Sequence, residues 1–440
     1  MEYTRTELMP GVFVSHLRCG KFKTACLSVT LLTQLTRETA AMNALIPAVL
    51  RRGTARYGDM EQLAKRLDEL YGAAIEPVVR RIGEIHCVGF FASFAESAYL
   101  PGREELLGPV SSLMAELLLA PNTRGGLLLP QYVDSEKEKM LDLIRSRVNN
   151  KRAYAVQRCL EEMCCCEDYA VSRYGDEASC EAIHYKKLTR HYRELLRTSP
   201  IEIFYCGQAS VRSVNQALRD ALSGLPRGEI DWDIGTDLRM NAMEDQPRFV
   251  EERMDVSQGN LVFGFRLGEC MEDADIPALY VFNAVFGGGP TSKLFLNVRE
   301  KLSLCYYASS ALVLRKGLLL ASSGVAFENF EKAKDEILAQ LEAVKNGEIT
   351  DEELEWARRG VASDLRAMLD SPGELEGFWL AQALDGLDYG PAELAGLVEE
   401  VTKEQITACA KSVVCDMIYF LRGNDKETDA DGGGEVDDEN

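Results

Sequence analysis

Apolar positions in this chain fall into two kinds of run, and the kinds recur in the same order twice. Behind Asp59, the residues Met60, Leu63, Ala64, Leu67, Leu70 and Tyr71 return at helical spacing, which predicts an amphipathic helix with an aspartate cap. "EIHCVGFFASF" (Glu84 to Phe94) and "LLLASSGVAF" (Leu318 to Phe327) are compact apolar runs of strand character. From Asn329 to Val344, a stripe of Phe330, Ala333, Ile337, Leu341 and Val344 predicts a second helix, and Thr350 with Glu353 three residues on marks the start of a third.

The recurrence extends to whole segments. "AVLRRGTARYGDMEQLAKRLDELYG" (Ala48 to Gly72) and "NAVFGGGPTSKLFLNVREKLSLCYY" (Asn283 to Tyr307) both run apolar helix, glycine turn, amphipathic helix, tyrosine. "YKKLTRHYRELLRTSPIEIFYCG", ending at Gly207, and "LVEEVTKEQITACAKSVVCDMIYFLRG", ending at Gly423, both place an amphipathic helix before a short apolar strand; Thr402 and Gln405 fit a capping box in the second. Strands first and helices after, twice over, predict an α+β protein of two homologous domains, each a largely antiparallel sheet covered by helices on one face. The expected units are residues 1–224, a linker over 225–249 without clear period, residues 250–423, and an acidic tail over 424–440.

Charge narrows the partners. With 49 basic and 70 acidic residues among 440, the net charge of −21 argues against binding phosphate backbones or anionic lipid, so neither nucleic acid nor membrane is an expected partner. The last seventeen residues, "NDKETDADGGGEVDDEN", hold eight acids and one lysine and read as a solubilising tail. The start, "MEYTRTELMPGVFV", shows no secretory pattern, and no charge-free run is long enough for a membrane helix; the expected location is cytoplasmic. Thirteen scattered cysteines, three of them consecutive (Cys164, Cys165, Cys166), read as reduced thiols.

Two segments carry the chemical question. "NALIPAVLRRGT" (Asn43 to Thr54) is an apolar helix containing Pro47 that leads into Gly53-Thr54, and "NVREKLSLCYY" (Asn297 to Tyr307) places Arg299 seven residues before Tyr306. Together with the duplication and "FGGGPTSKLF", these segments resemble the insulinase-like, or pitrilysin-type, zinc metallopeptidases, which include mitochondrial processing peptidase and the core proteins of the bc1 complex; the LuxS-like metallohydrolase fold is what that resemblance implies. Active members carry His-x-x-Glu-His on the helix before Gly-Thr. Two histidines at i and i+4 share a helix face and hold zinc, and the glutamate removes a proton from zinc-bound water.

Here the histidine positions fall on Ala44 and Ala48 and the glutamate position on Pro47, none able to bind metal or move a proton. The third ligand position matches Leu143, seven residues after Glu136. The implied metal content is none, with zinc expected only in a partner. Arg299 and Tyr306 match the family's pair that binds the substrate backbone and polarises the scissile carbonyl, work that guanidinium and phenol donors suit.

Weaker candidates are read as structural. Cys180 and His184 lie one helical turn apart but lack the paired spacing of zinc sites. His86 and Cys87 adjoin on a strand, where neighbours point to opposite faces. "GGGPTSK" lacks the order of a phosphate loop and reads as a turn with Pro290 entering a helix.

The expected function is therefore that of a non-catalytic, substrate-binding subunit. Its partner would be a homologous peptidase chain bearing the zinc motif, and its substrate a peptide or unfolded protein, with no enzyme activity by itself. Resemblance is nearest to the zinc-less member of a paired set in Gram-positive bacteria whose family label refers to modification of elongation factor P. The alternatives are a peptidase-derived scaffold or binding module, and an independent enzyme using other residues. Whether the isolated chain forms a homodimer is left open.

Overall fold

The computed structural model describes residues 2–424, so the expected acidic tail, apart from Asn424, lies outside the described residues. In the first half, β1 (Glu2–Met9), β2 (Val12–Arg18) and β3 (Thr24–Gln34) precede α1 (Ala40–Leu50), α2 (Met60–Glu69), β4 (Ala74–Ile82) and β5 (Ile85–Ala95). Next come α3 (Leu107–Leu119), a small hairpin of β6 (Thr123–Arg124) and β7 (Leu127–Leu128), α4 (Pro130–Ser146) and α5 (Lys151–Met163). The half ends with α6 (Glu177–Glu181), α7 (Tyr185–Thr198), β8 (Ile201–Gly207) and α8 (Val211–Ala221).

The second half opens with β9 (Arg248–Met254), β10 (Gly259–Arg266), α9 (Ile276–Phe286) and a π-helix (Leu294–Lys301). Then follow β11 (Cys305–Val313), β12 (Leu318–Val325), α10 (Phe330–Lys345), α11 (Asp351–Ala367) and α12 (Pro372–Asp385). The last elements are α13 (Pro391–Glu399), α14 (Lys403–Ser412) and β13 (Val414–Gly423). The local signals act as expected: Asp59 accepts from Gln62 N, and the Thr350/Glu353 and Thr402/Gln405 capping boxes close.

The two sheets share one plan. The first runs β1-β2-β8-β3-β5-β4 and the second β9-β13-β10-β12-β11. Apart from β1, the orders correspond strand for strand, with β2–β8 and β9–β13 as the parallel pairs and antiparallel pairing elsewhere. The repeat in the sequence is thus a repeat in topology, and α9 stands in the second half where α1 stands in the first.

Strand alternation divides each sheet between two cores. On β3, Ala25, Leu27, Val29 and Leu31 face the first half's own helices, while Cys26, Ser28 and Leu32 face away from them. On β13, Ile418 and Phe420 face one core and Met417, Tyr419 and Leu421 the other. Each half's own helices cover one face as expected. The opposite face, unlike a solvated sheet surface, is covered by a single helix contributed by the other half. From the first half, α5 places Ala155, Cys159, Leu160 and Met163 against Val262, Leu320, Met417 and Tyr419. From the second, α12 places Leu375 and Trp379 against Leu17, Cys26 and Phe204.

Polar contacts fix the exchange. Buried Glu376 on α12 accepts from Ser28 Oγ (2.9 Å) and from both Arg80 Nη atoms, one of them at 2.7 Å. At the seam, Lys316 pairs with Glu84 (2.8 Å) and Glu167 (2.5 Å). Arg266 pairs with Glu167 (2.6 Å) and Asp416 (2.9 Å), and Arg248 with the other Asp416 oxygen (3.0 Å). The connection between the halves joins in: Glu84 Oε2 accepts from Asp237 N (2.9 Å), and Thr236 Oγ1 accepts from Glu84 N (3.0 Å). Gly83 permits this approach, since its φ is +56° and a Cβ there would lie 2.0 Å from Thr236 Oγ1.

The reading of every cysteine as a free thiol is corrected at Cys270 and Cys409, which form a disulfide with Cα atoms 5.3 Å apart across 139 residues of sequence. Cys270 lies between β10 and α9, and Cys409 lies on α14, which packs against α9. Tertiary packing, invisible to spacing, brings them together.

Replacing Lys316 by methionine keeps the volume but leaves Glu84 and Glu167 without their shared cation. The expected loss is about 3–5 kcal/mol, read from the denaturant midpoint. An unchanged midpoint would mean that the network contributes nothing to holding the halves.

Candidate functional site

The site begins with α1. The helix is nearly all apolar because almost all of it is packed: Ala44 is 4% exposed and Pro47 is buried, with Ala48 alone half-buried. Pro47 sits inside the helix without breaking it, and its carbonyl still accepts from Arg51 N at 3.0 Å. None of the three side chains has a lone pair for a metal or a group that takes a proton.

The polar residue on this helix is one position earlier, and sequence reasoning passed over it. Asn43 is fully buried; its Oδ1 lies 2.6 Å from His191 Nε2 on α7 and its Nδ2 3.3 Å from His86 Nδ1 on β5. The amide thus ties α1 to a strand and a helix. Burial pushes both histidines down, each to about 4, so they are neutral at pH 7. The available signal was an asparagine in an apolar run and two of only four histidines, but no spacing rule joins residues so far apart.

The remaining ligand position, Leu143 on α4, is 47% exposed and lines a cavity of about 440 Å³ with Arg81, Asn150, Tyr154, Arg173 and Tyr174. A second cavity of about 340 Å³ shares Asn150, Ala153 and Gln157 with it and continues to Ser309 and Ser322 on the second sheet. The two open along α5, so the helix that crosses between halves also floors the space between them.

Arg299 and Tyr306 stand elsewhere, in a short stretch of unusual backbone. Arg299 belongs to the π-helix, Ser303 has a left-handed φ of 51°, and Tyr306 is the extra residue of a β-bulge, since Cys305 pairs with Val325 and Tyr307 with Gly324. The bulge turns Tyr306 out of the ladder, leaving it 67% exposed. Arg299 pairs with adjacent Glu300 (3.4 Å) and lies over the Phe295 ring. Neither side chain contributes to the two cavities along α5. The next tyrosine has a structural use: Tyr307 stacks under Arg152 of α5 and donates to Asn260 Oδ1 (3.1 Å).

The weaker candidates resolve as structural. Cys180 is buried, its thiol pushed up to about 11 by desolvation, while exposed His184 caps α7 through Nδ1. His86 and Cys87 point to opposite faces of β5, the first toward α1 and the second toward α12.

A family model described as "Peptidase M16 inactive domain" matches residues 182–361. The protein named "Probable inactive metalloprotease YmfF" from Bacillus subtilis is 32% identical over 417 residues, covering 94% of this chain and 97% of that protein. "Uncharacterized zinc protease YmxG" from the same organism is 29% identical over 133 residues, 29% of this chain and 32% of that protein. Among solved structures, a conserved protein from Enterococcus faecalis superimposes with a TM-score of 0.86 at 26% identity, covering 96% of this chain and 99% of the other.

The buried histidines set a pH dependence. Unfolding returns them toward 6.5, so between about pH 6.5 and 4 the unfolded chain binds more protons, and stability falls as pH falls through that window. The expected loss between pH 7 and pH 5 is about 2 kcal/mol for His86, read from urea midpoints at those two values. His86→Leu should flatten the profile; a profile unchanged by it would remove the histidine as the cause. Metal removal gives a second check: chelator treatment should leave the unfolding temperature unaltered, and zinc retained one per chain would contradict the reading of α1.

Proposed function

The chain belongs to the M16 metallopeptidase family as a non-catalytic homologue, and on that basis we propose that it is the substrate-binding half of a two-chain zinc peptidase. The observation that carries this reading is the backbone around Arg299 and Tyr306. A π-helix, a left-handed Ser303 and a bulge within thirteen residues hold both side chains at the surface, where the fold itself makes little use of them. Irregular backbone of this kind costs stability and is kept where a side chain must be aimed.

The partner is a homologous chain carrying His-x-x-Glu-His; that one relative of this chain is named a zinc protease supports this. Zinc belongs to that partner. Arg299 donates from its guanidinium, and Tyr306 from its phenol, to the carbonyl oxygen of a peptide held between the chains, where negative charge develops as water attacks. The peptide, or an unfolded segment of protein, lies along edge strand β11, which runs from Tyr306 to the smaller cavity beside α5 at Ser309 and Ser310. Among the described residues no helix is long and apolar enough to cross a membrane, and the proposed place of action is the cytoplasm.

The test is the mixed pair. Arg299→Ala should lower kcat of the assembled peptidase by roughly two to three orders of magnitude and leave assembly unchanged. A mutant pair that cleaves peptides as fast as the parent would remove Arg299 from the chemistry. The same result would favour the scaffold reading.

A further inference from the structure

One feature near the seam is not used by the fold or by the proposed chemistry. The run Cys164-Cys165-Cys166 forms the turn that follows α5, closed by Glu167 N donating to Cys164 O at 2.8 Å. The three thiols have different surroundings. Cys164 is buried and its thiol is pushed up to about 12 by desolvation, which makes it a poor nucleophile. Cys165 and Cys166 are exposed, and they are the only exposed free cysteines among the described residues. Their sulfurs are 3.8 Å apart.

The first of the pair borders a concave surface of mixed charge. Cys165 Sγ lies 3.9 Å from Arg248 Nη1 and lines a cavity of about 310 Å³ together with Arg37, Arg147, Arg158, Glu161, Glu162 and Asp176. The cavity admits a small reagent to the Cys165 sulfur. The peptide that follows the pair, Cys166–Glu167, is held from outside, since Cys166 O accepts from Arg239 Nη2 at 2.9 Å. The next residue is Glu167, which receives Arg266 and Lys316 at the centre of the seam.

We propose that Cys165 and Cys166 form a reversible dithiol–disulfide site that reacts with low-molecular-mass disulfides and alters the turn presenting Glu167. One thiolate attacks a sulfur of the small disulfide RSSR, forming a mixed disulfide and expelling RS⁻. The neighbouring thiol, deprotonated, attacks the protein sulfur of that mixed disulfide, closing the Cys165–Cys166 bond and expelling a second RS⁻. The two thiol protons end on the two leaving thiolates as RSH; the protein has lost two electrons and RSSR has gained them. Ring closure between adjacent residues rotates the Cys165–Cys166 peptide, which adjoins the one that Arg239 holds, and so shifts the entry to Glu167.

The full chain is incubated with oxidised glutathione, the remaining thiols are alkylated, and the products are read by mass spectrometry without reduction. The parent should lose the mass of one disulfide bond formed and retain no glutathione. Cys165→Ser and Cys166→Ser should each retain one glutathione on the remaining thiol, Cys164→Ser should behave as the parent, and dithiothreitol should restore the starting mass. A parent that retains glutathione, that does not react, or that needs Cys164 would overturn the site. Hydrogen exchange of residues 164–170 gives a second readout: faster exchange in the oxidised chain is expected, and identical rates would overturn the coupling to the seam.

Discussion

Three carboxylates and three cations in one chain of contacts decide how the two halves of this molecule meet. Glu84, Lys316, Glu167, Arg266, Asp416 and Arg248 alternate in sign, and all but Arg248 are buried. They come from the β4–β5 turn, the β11–β12 turn, the segment after α5, the end of β10, β13 and β9. Burial alone would raise Glu167, but hydrogen bonds from Arg266 and Lys316 hold it below the ordinary carboxylate value. Removing such charges from water is costly, so the network is best understood as a specifier of geometry. The attraction comes from the apolar contacts around it, α5 on one sheet and α12 on the other.

That division explains the arrangement of the site. Because α5 is clamped against the second sheet, the smaller cavity along it has walls from both halves, and its shape depends on the docking that the charges enforce. Helix α1 is part of the first core, and Asn43 with its two histidines is the polar tie between it and its neighbours. The Arg299 and Tyr306 segment, by contrast, has an irregular backbone and holds its tyrosine out of the ladder.

The sequence showed the duplication, the strands at Glu84 to Phe94 and Leu318 to Phe327, and the caps at Asp59, Thr350 and Thr402, because each is a local signal of period or spacing. It also showed that Ala44, Pro47 and Ala48 carry no metal chemistry, since that follows from side-chain identity. The exchange of α5 and α12 was hidden: periodicity tells that a helix face is covered but not by which half. Arg266 and Lys316 gave no sign of burial, because a charge is buried only where opposite charges from distant segments converge. The π-helix and the bulge at Tyr306 were equally silent, since both are matters of register, which the order of residue types does not state.

The exchanged helices have a consequence for the chain as a heritable object. Each half leaves one face of its sheet bare without the other, Val262, Leu320 and Met417 in one case and Leu17, Cys26 and Phe204 in the other. Neither half is therefore a module that recombination can move on its own, although the repeat makes each look like one. The connection between α8 and β9 lies between the two crossed helices in the chain, so a cut there would separate the halves covalently without removing α5 or α12 from its own piece.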